Sequence, residues 1–428
     1  MAELSVGTQV RLSNGSTCRV KKELGRGGQG IVYLVDYCGK DYALKWYIVQ
    51  YPDSFYENLD RNVKKGAPSP SFLWPVALAE RQHGSFGYLM ELRPSGYEEI
   101  GSYMLLRARF ASVDALLEAC LQICTGFQKL HINGFSYQDM NDGNFFINPK
   151  TGQVLICDND NVAPNGVNMG ILGKTGYMAP EIVDAESMPN KFTDYFSLSV
   201  ILFILIYMNR PFEGAKALAF PAMTPEFEKR LNGKNGVFIL DPADASNRPV
   251  NGIHKNVLKR WPLFPQLLRD AFTKTFSKEA MHDPTKRIMD KKWQEILIQV
   301  RSQYVTCPHC GEKVFITPGA ECVCLECKKT VPKTAVLAIG LNSKVALVPG
   351  QKLYKCHTDI CDDYTTVAAE VVRNPKDPKI WGIRNLSGKQ WTVTLPDKSQ
   401  RLVDHGSVMP VRQGLEIRFS SGIKAEIV

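Results

Sequence analysis

Residues 24–35 have the sequence Leu-Gly-Arg-Gly-Gly-Gln-Gly-Ile-Val-Tyr-Leu-Val, and this stretch decides the fold. Gly25, Gly27 and Gly30 leave room for backbone N–H groups to approach a phosphate, and glycine tolerates the positive φ expected of such a loop. Apolar residues around the glycines predict strands over 10–12, 20–24 and 31–35. Because dinucleotide-binding folds place a helix after such glycines, the strand that follows here argues against them.

Further elements follow the glycines in a fixed order: Ala43-x-Lys45, Asp139 with Asn144 five residues later, Asp158, and Ala179-Pro180-Glu181. A glycine motif alone is a weak signal, whereas an ordered series rarely arises by chance. The series resembles the eukaryotic-like protein kinase superfamily, of the bacterial Ser/Thr type. The resemblance covers about residues 10–300.

The resemblance implies an ATP site between two lobes. Lys45 would bind the α and β phosphates, with Glu57 on the following helix as its ionic partner. Val32 and Ala43 would lie above and below adenine, and Met90 would be the gatekeeper. The implied nucleotide-binding residues are Gly25, Gly27, Gly30, Val32, Ala43, Lys45, Glu57, Met90, Glu91, Arg93 and Phe146.

A second set of residues implies phosphoryl transfer. Asp139 matches the aspartate that accepts the substrate hydroxyl proton, while Asn144 and Asp158 match the residues that hold Mg²⁺. Any one of these residues alone is more often part of a turn. The assignment therefore depends on all of them occurring in the family's order and spacing. The implied catalytic residues are Lys45, Asp139, Asn144 and Asp158, acting on a protein substrate with ATP and Mg²⁺.

Two further matches imply structural roles. Glu181 is expected to pair with Arg287, and Asp194 is expected to open a buried helix and bond to the catalytic-loop backbone. The apolar run over 196–208 is shorter than the ~20 residues that cross a bilayer. It therefore predicts a buried helix, and no membrane partner is expected.

The family's usual His-Arg-Asp is replaced by Tyr137-Gln138-Asp139, so the arginine that binds a phosphorylated activation loop is absent. Between residues 160 and 179, Thr175 is the only serine or threonine. Both features predict a kinase that activation-loop phosphorylation does not switch on.

Asp158-Asn-Asp160 replaces the family's Asp-Phe-Gly, and Asn141 replaces a lysine near the γ-phosphate. A buried, unpaired Asn159 would cost ~1–3 kcal/mol, so a polar partner is expected, with Tyr137 and Arg61 as candidates. Lys174 is a candidate replacement for the missing lysine. A nucleotide-binding pseudokinase scaffold is the alternative, although Lys45, Asp139, Asn144 and Asp158 are all retained.

Two Cys-x-x-Cys pairs lie beyond the kinase-like region, and their spacing predicts a structural zinc ribbon over 301–335. The expected ligands are Cys307, Cys310, Cys324 and Cys327. Cys322 could replace Cys324, and His309 is a weaker candidate.

Short alternating strands over 336–428 predict an antiparallel β-sandwich. The order Leu-Val-Pro-Gly350, Ile383-Arg-Asn-Leu-Ser and Gly414-Leu-Glu-Ile-Arg-Phe resembles a forkhead-associated domain. The phosphothreonine-binding Gly-Arg and Ser-x-x-His of that family are absent, so a docking or autoregulatory module is predicted, with a phosphopeptide-binding adaptor as the alternative.

The predicted architecture is α+β. A bilobal protein kinase fold over 1–300, with lobes at about 1–92 and 93–300, precedes the ribbon and the all-β sandwich. The N-terminus lacks the basic and apolar segments of a secretion signal, which predicts a cytoplasmic protein. The +9 net charge is dispersed, so no nucleic-acid partner is expected. The resemblance also implies a metal-dependent protein phosphatase as a partner.

Overall fold

The structure is a computed structural model that describes residues 3–82, 84–219, 222, 224–341 and 343–428. The helices, in chain order, are α1 (Asp53–Lys65), α2 (Ile100–Met104), α3 (Val113–Ile132), α4 (Pro180–Val183), α5 (Lys191–Tyr207), α6 (Pro225–Asn232), α7 (Lys255–Arg260), α8 (Gln266–Thr275), α9 (Lys278–His282), α10 (Asp290–Ser302) and α11 (Lys355–Thr358). Short 3₁₀ turns lie at Asn159–Asn161, Ala215–Ala219, Trp261–Leu263 and Pro284–Lys286.

The strands of the first half are β1 (Gln9–Arg11), β2 (Thr17–Arg26), β3 (Gly30–Tyr37), β4 (Lys40–Tyr47), β5 (Ala77–Gln82), β6 (Ser85–Glu91), β7 (Glu98–Glu99), β8 (Phe135–Ser136), β9 (Phe145–Ile147), β10 (Val154–Ile156) and β11 (Ala163–Pro164). Those of the C-terminal part are β12 (Tyr304–Thr306), β13 (Lys313–Phe315), β14 (Cys322–Val323), β15 (Thr330–Val331), β16 (Val336–Ile339), β17 (Ser343–Ala346), β18 (Lys352–Tyr354), β19 (Val367–Arg373), β20 (Trp381–Asn385), β21 (Trp391–Thr394), β22 (Gln400–Val403), β23 (Val408–Pro410), β24 (Glu416–Arg418) and β25 (Lys424–Ile427).

The chain divides into two compact units. The first comprises Met1–His254 with Thr273–Asp290, and the second comprises Lys255–Phe272 with Lys291–Val428. The region that resembles a kinase is thus divided between the two units near its end. The three domain boundaries drawn from the sequence stay predictions.

The first unit begins with an antiparallel sheet in the order β1-β2-β3-β4-β6-β5. The glycine-rich turn joins β2 to β3, and a strand follows it as predicted, which excludes the dinucleotide-binding arrangement. The expected positive φ is wrong, because Gly25, Gly27 and Gly30 all lie outside that region. Gly30 is required for another reason: a Cβ there would overlap the backbone carbonyl of Trp46 on β4.

Helix α1 packs on this sheet through one face. Its buried residues are Phe55, Asn58, Leu59 and Asn62, and the two apolar ones join a cluster with side chains from β4, β5 and β6. The helix ends at Gly66, whose φ of 78° favours glycine and stops the helical backbone.

Helix α5 is the buried helix that the apolar run predicted. Asn190 caps it by accepting from the Phe192 N–H, and Met208 ends it at a φ of 55°. Every residue over 193–207 is buried. None of the described helices combines the length and the apolar character that a membrane crossing requires.

The second unit contains two small hairpins and two larger sheets. Hairpin β12–β13 carries the first Cys-x-x-Cys pair, and hairpin β14–β15 carries the second. The larger sheets are antiparallel and run in the orders β17-β16-β25-β24-β21-β22 and β18-β19-β20-β23. Their inward-facing side chains form one apolar cluster around Trp391 and Phe419. The all-β architecture predicted for this region is confirmed, whereas its likeness to forkhead-associated domains stays a prediction.

Candidate active site

A cavity of about 790 Å³ lies in the first unit between the N-terminal sheet and the residues that follow it. Many of the predicted nucleotide-binding residues line it, namely Gly25, Val32, Ala43, Met90, Glu91, Arg93 and Phe146, and so does the predicted Mg²⁺ ligand Asp158. Sequence reasoning did not single out other lining residues, among them Leu24, Leu73, Tyr97 and Cys157. The resemblance is carried by motifs, and these positions stand outside them.

The glycine-rich turn leaves space for a ligand. A Cβ at Gly25 or Gly27 would meet no atom within 4 Å. These glycines are therefore not required by packing within the protein. The Gly27 N–H donates to the Gly30 carbonyl at 2.9 Å within the turn, and the open space beside the turn suits a phosphate chain, which is the part of ATP that such loops contact.

Lys45 lies on β4 and is buried, at 7% exposure of the residue. Its Nζ is 2.8 Å from Asp160 Oδ2 and 3.3 Å from Asp158 Oδ1. The expected partner, Glu57, is exposed on α1. The structure therefore corrects the predicted ion pair, because Lys45 pairs with carboxylates of the 158–160 segment.

The rotation of α1 explains this correction. Successive helix residues are ~100° apart, so Glu57 lies ~200° from the buried Phe55 and on the opposite side of the helix. The face that carries Phe55 and Leu59 also carries Asn58 and Asn62, whose Nδ2 atoms each donate to the Val162 carbonyl at 2.8 Å. The spacing of Phe55 and Leu59 was the sequence signal that could have revealed this phase.

Asp158 begins a tight turn at the edge of the cavity. Its φ is 50°, a left-handed value that is uncommon outside glycine, and a 3₁₀ turn follows it. Asn159 is fully buried and donates to the carbonyls of Leu73 and Ile156 at 2.8 and 2.9 Å. The expected polar partner thus exists, but it is backbone, and the candidates Tyr137 and Arg61 were wrong.

Asp139 and Asn144 lie on one loop before β9. Asn144 donates from Nδ2 to the Asp139 carbonyl at 2.8 Å, which leaves its Oδ1 as the ligand-type atom. Asn141 donates to Asp139 Oδ1 at 3.1 Å, and Asn161 approaches Oδ2 at 3.4 Å. Burial raises the pKa of Asp139, and its hydrogen bond from Asn141 lowers it; burial has the larger effect. A carboxylate with a raised pKa and neutral amide partners can accept a proton.

Asp194 connects this loop to the buried helix α5, as predicted. Its carboxylate accepts from the backbone N–H groups of Tyr137 at 2.7 Å and Gln138 at 3.2 Å. His131 at the end of α3 bonds to the same carboxylate and, through its other nitrogen, to Asp290. The loop position is therefore fixed by buried charged groups.

Comparison with known proteins agrees with this geometry. The family model of the protein kinase domain matches residues 79–249. The chain carries a protein kinase domain. A Dictyostelium discoideum protein named as a probable serine/threonine-protein kinase is 25% identical over 228 residues, which cover 49% of this chain and 16% of that protein.

Two other relatives are named serine/threonine-protein kinases. Human Nek5 is 25% identical over 182 residues, or 38% of this chain and 25% of its own length. WNG1 of Toxoplasma gondii is 28% identical over 144 residues, or 34% and 22%. The chain thus spans at most a quarter of the length of these three relatives. Together the comparisons support a kinase domain of the serine/threonine type.

The activation segment of the kinase domain is bonded to the residue that replaces the family's arginine. Gln138 Nε2 donates to the Val167 carbonyl at 2.6 Å, and its Oε1 accepts from Asn168 at 3.1 Å. Asn168 also donates to the Ile171 carbonyl at 2.6 Å. The side chains that hold the segment at these contacts are neutral amides.

The end of the same segment is buried and paired. Tyr177 is 0% exposed. Glu181 accepts two hydrogen bonds from Arg287, at 2.8 and 2.6 Å, which confirms the predicted pair. Lys174 bonds to Asp142 at 2.7 Å, so its predicted replacement of the missing lysine stays a prediction.

The residues of the kinase domain fit ATP and Mg²⁺ by their chemistry. Asp158 and Asn144 offer hard oxygen atoms, the ligands that Mg²⁺ prefers. The apolar walls at Val32, Ala43 and Met90 suit a planar base.

Outside the kinase domain, Cys307, Cys310, Cys324 and Cys327 bring their sulfur atoms within 4.8 Å of one another. Two of the sulfur pairs are 3.8 Å apart, close to the ~3.8 Å edge of a tetrahedron whose Zn–S bonds are ~2.3 Å. Cys322 is not in this group, and His309 bonds to the Thr330 carbonyl instead. The cluster is compatible with zinc.

Proposed function

We propose that this chain is an ATP-dependent protein serine/threonine kinase. The observation that carries the proposal is the ion pair of Lys45 with Asp158, a cavity-lining residue, at 3.3 Å. A pseudokinase scaffold would not require the Lys45–Asp158 pair, because a nucleotide could bind in the cavity without it. The alternative is therefore less well supported, and an assay can separate the two.

In the proposed reaction, the substrate hydroxyl oxygen forms a bond to the γ-phosphorus while the bond to the β–γ bridging oxygen breaks, and ADP leaves. Asp139 accepts the hydroxyl proton, and its raised pKa suits this task. Lys45 binds the α and β phosphates. Asp158 and Asn144 would hold Mg²⁺, which when bound supplies positive charge against the phosphates.

Transfer of radiolabelled phosphate from ATP to a protein substrate tests the proposal. Asp139→Asn and Lys45→Met should each lower the rate at least ~100-fold, because positioning and charge supply nearly all of the catalysis. Asp53→Asn, a change at the start of α1 where the side chain is 79% exposed, serves as the matched surface control. Unlabelled substrate with the wild-type chain, together with normal nucleotide binding, would favour the pseudokinase.

The proposed kinase is active without activation-loop phosphorylation. The hydrogen bonds of Gln138 to the 167–168 segment support this, since they order the segment with neutral groups. The burial of Tyr177 supports it as well, because a buried hydroxyl is not accessible to another kinase. Exhaustive phosphatase treatment should leave the initial rate nearly unchanged. Loss of activity on dephosphorylation, with recovery on phosphorylation of Thr175, would contradict this part.

The proposal gives the C-terminal part a recruiting or regulatory role. We propose one zinc ion bound by Cys307, Cys310, Cys324 and Cys327, with the adjoining sheets docking a substrate or regulator. The two hairpins support this, because each turns directly after its second cysteine through a left-handed residue, Gly311 and Lys328. A phosphatase that removes the phosphate from the same substrates is a further proposed partner.

A further inference from the structure

Asp160 is a fully buried carboxylate at a position where the kinase pattern has glycine. Its side chain is 1% exposed. Oδ2 contacts two groups, the Lys45 ammonium at 2.8 Å and the Tyr47 hydroxyl at 2.5 Å. Oδ1 has no hydrogen-bond partner among the described residues. A buried carboxylate that is only partly satisfied is costly unless a nearby cation compensates for it, and Lys45 is that cation.

The other acidic groups near Lys45 are less suited to position it. The Asp158 carboxylate lies farther from the Lys45 ammonium, at 3.3 Å, and the Asp158 side chain is 44% exposed. On α1, Asp53 pairs with Arg81, Asp60 pairs with Lys64, and Glu57 is exposed. The inward face of this helix carries the neutral Asn58 and Asn62.

We infer that Asp160 positions Lys45 for phosphate binding, in the role that the kinase pattern gives to a glutamate on the helix. This inference rests on the proposed function and deepens it. Asp158 and Asp160 are two residues apart on one turn, so the group that would bind metal and the group that orients the lysine move together. Helix α1 bonds to the same segment at Val162 through its two asparagines.

A consequence distinguishes this arrangement. Where the lysine pairs with a helix glutamate, an outward shift of the helix breaks the pair and inactivates the enzyme. Here an outward shift of α1 would break neutral hydrogen bonds to the Val162 carbonyl and leave the Lys45–Asp160 pair in place. The inference therefore predicts that the orientation of Lys45 depends less on α1 than it would if the lysine paired with a glutamate on that helix.

The test compares Asp160→Asn, which keeps the shape and removes the charge, with Glu57→Gln, which removes the charge on the helix. Both are made in the full chain. Asp160→Asn should weaken binding of a fluorescent Mg-ATP analogue on the order of tenfold, the coupling that contacting pairs show. It should also lower kcat/KM for ATP, whereas Glu57→Gln should change either quantity by less than about twofold.

A double-variant cycle separates positioning from a general structural effect. If Asp160 acts through Lys45, Asp160→Asn should weaken nucleotide binding much less in a Lys45→Met background than in the wild type. A structural role would give the same loss in both backgrounds. Should Asp160→Asn fail to fold, Tyr47→Phe removes the hydroxyl that bonds to Asp160, and its effect should likewise disappear in the Lys45→Met background.

The results of these experiments distinguish a failure of the Asp160 inference from a failure of the proposed function. Equal losses in both backgrounds, or a loss with Glu57→Gln that matches Lys45→Met, would overturn the inference. A wild-type chain that binds nucleotide and transfers no phosphate would overturn the proposed function alone, because the binding cycle still tests Asp160.

Discussion

Raising the pH from 6 to 9 should remove most of the stability that His131 contributes to the kinase domain. Its Nδ1 lies 2.6 Å from Asp290 and its Nε2 lies 3.1 Å from Asp194. All three side chains are at most 7% exposed. Burial lowers the pKa of His131, but the hydrogen bonds and charges of the two carboxylates outweigh burial and raise it from 6.5 to about 9.

The sign and size of the effect follow from these values. Because the folded chain binds the proton more tightly than the unfolded chain, the stabilisation is complete below about pH 6.5 and is lost as the pH rises through about 9. At ~1.36 kcal/mol per pH unit, the interval from 6.5 to about 9 corresponds to about 3 kcal/mol. For a domain of this size the unfolding midpoint would change on the order of 6–10 °C.

Scanning calorimetry of the wild type and His131→Gln at both pH values measures this contribution, because the other titrating groups cancel in the difference. The variant should unfold several degrees below the wild type at pH 6, and the gap should nearly close at pH 9. His282→Gln, a change at an exposed histidine, should follow the wild type throughout. A gap that stayed constant, or that widened with pH, would refute the charged state assigned to His131.

Two further predictions concern buried pairs and the metal. Glu181→Gln should lower the free energy of unfolding by ~3–5 kcal/mol in urea titrations, because the buried Arg287 loses its charged partner. The exposed control Glu186→Gln should cost at most ~1 kcal/mol, and equal losses would contradict this account. Elemental analysis should find one zinc ion per chain in Cys322→Ser and none, or much less, in Cys324→Ser; zinc retained in the second variant would place the ligands elsewhere.

Features that depend on the local order of residues could be predicted from the sequence. Features that depend on how distant segments pack together could not. The glycine turn between strands and the buried helix α5 follow from residue patterns, and both are present. The Glu57 partnership failed because a motif gives a residue's distance along the chain and leaves its rotation around the helix undetermined. Only the burial of Phe55 and Leu59 fixes that rotation.

The burial of Asp160 and its contact with Lys45 could not be predicted from the neighbouring sequence, for a different reason. Asp-Asn-Asp is an ordinary turn sequence, and such residues usually face solvent. Its burial depends on Lys45 and Tyr47, which lie 115 and 113 residues earlier in the chain. The local sequence carries no signal of this contact.

Gln138 and Asp160 change the two contacts that, in the kinase pattern, respond to regulation. In that pattern, a phosphate on the activation loop binds the arginine that precedes the catalytic aspartate. Movement of the helix makes or breaks the ion pair between its glutamate and the ATP-binding lysine. Here the loop is bonded by a neutral amide, and the lysine pairs with a carboxylate on the turn that also carries Asp158. Under the two proposals, both contacts form on folding and require no later modification or movement of α1. Any regulation would therefore have to act on access to the cavity or on the substrate, which is the task proposed for the C-terminal part.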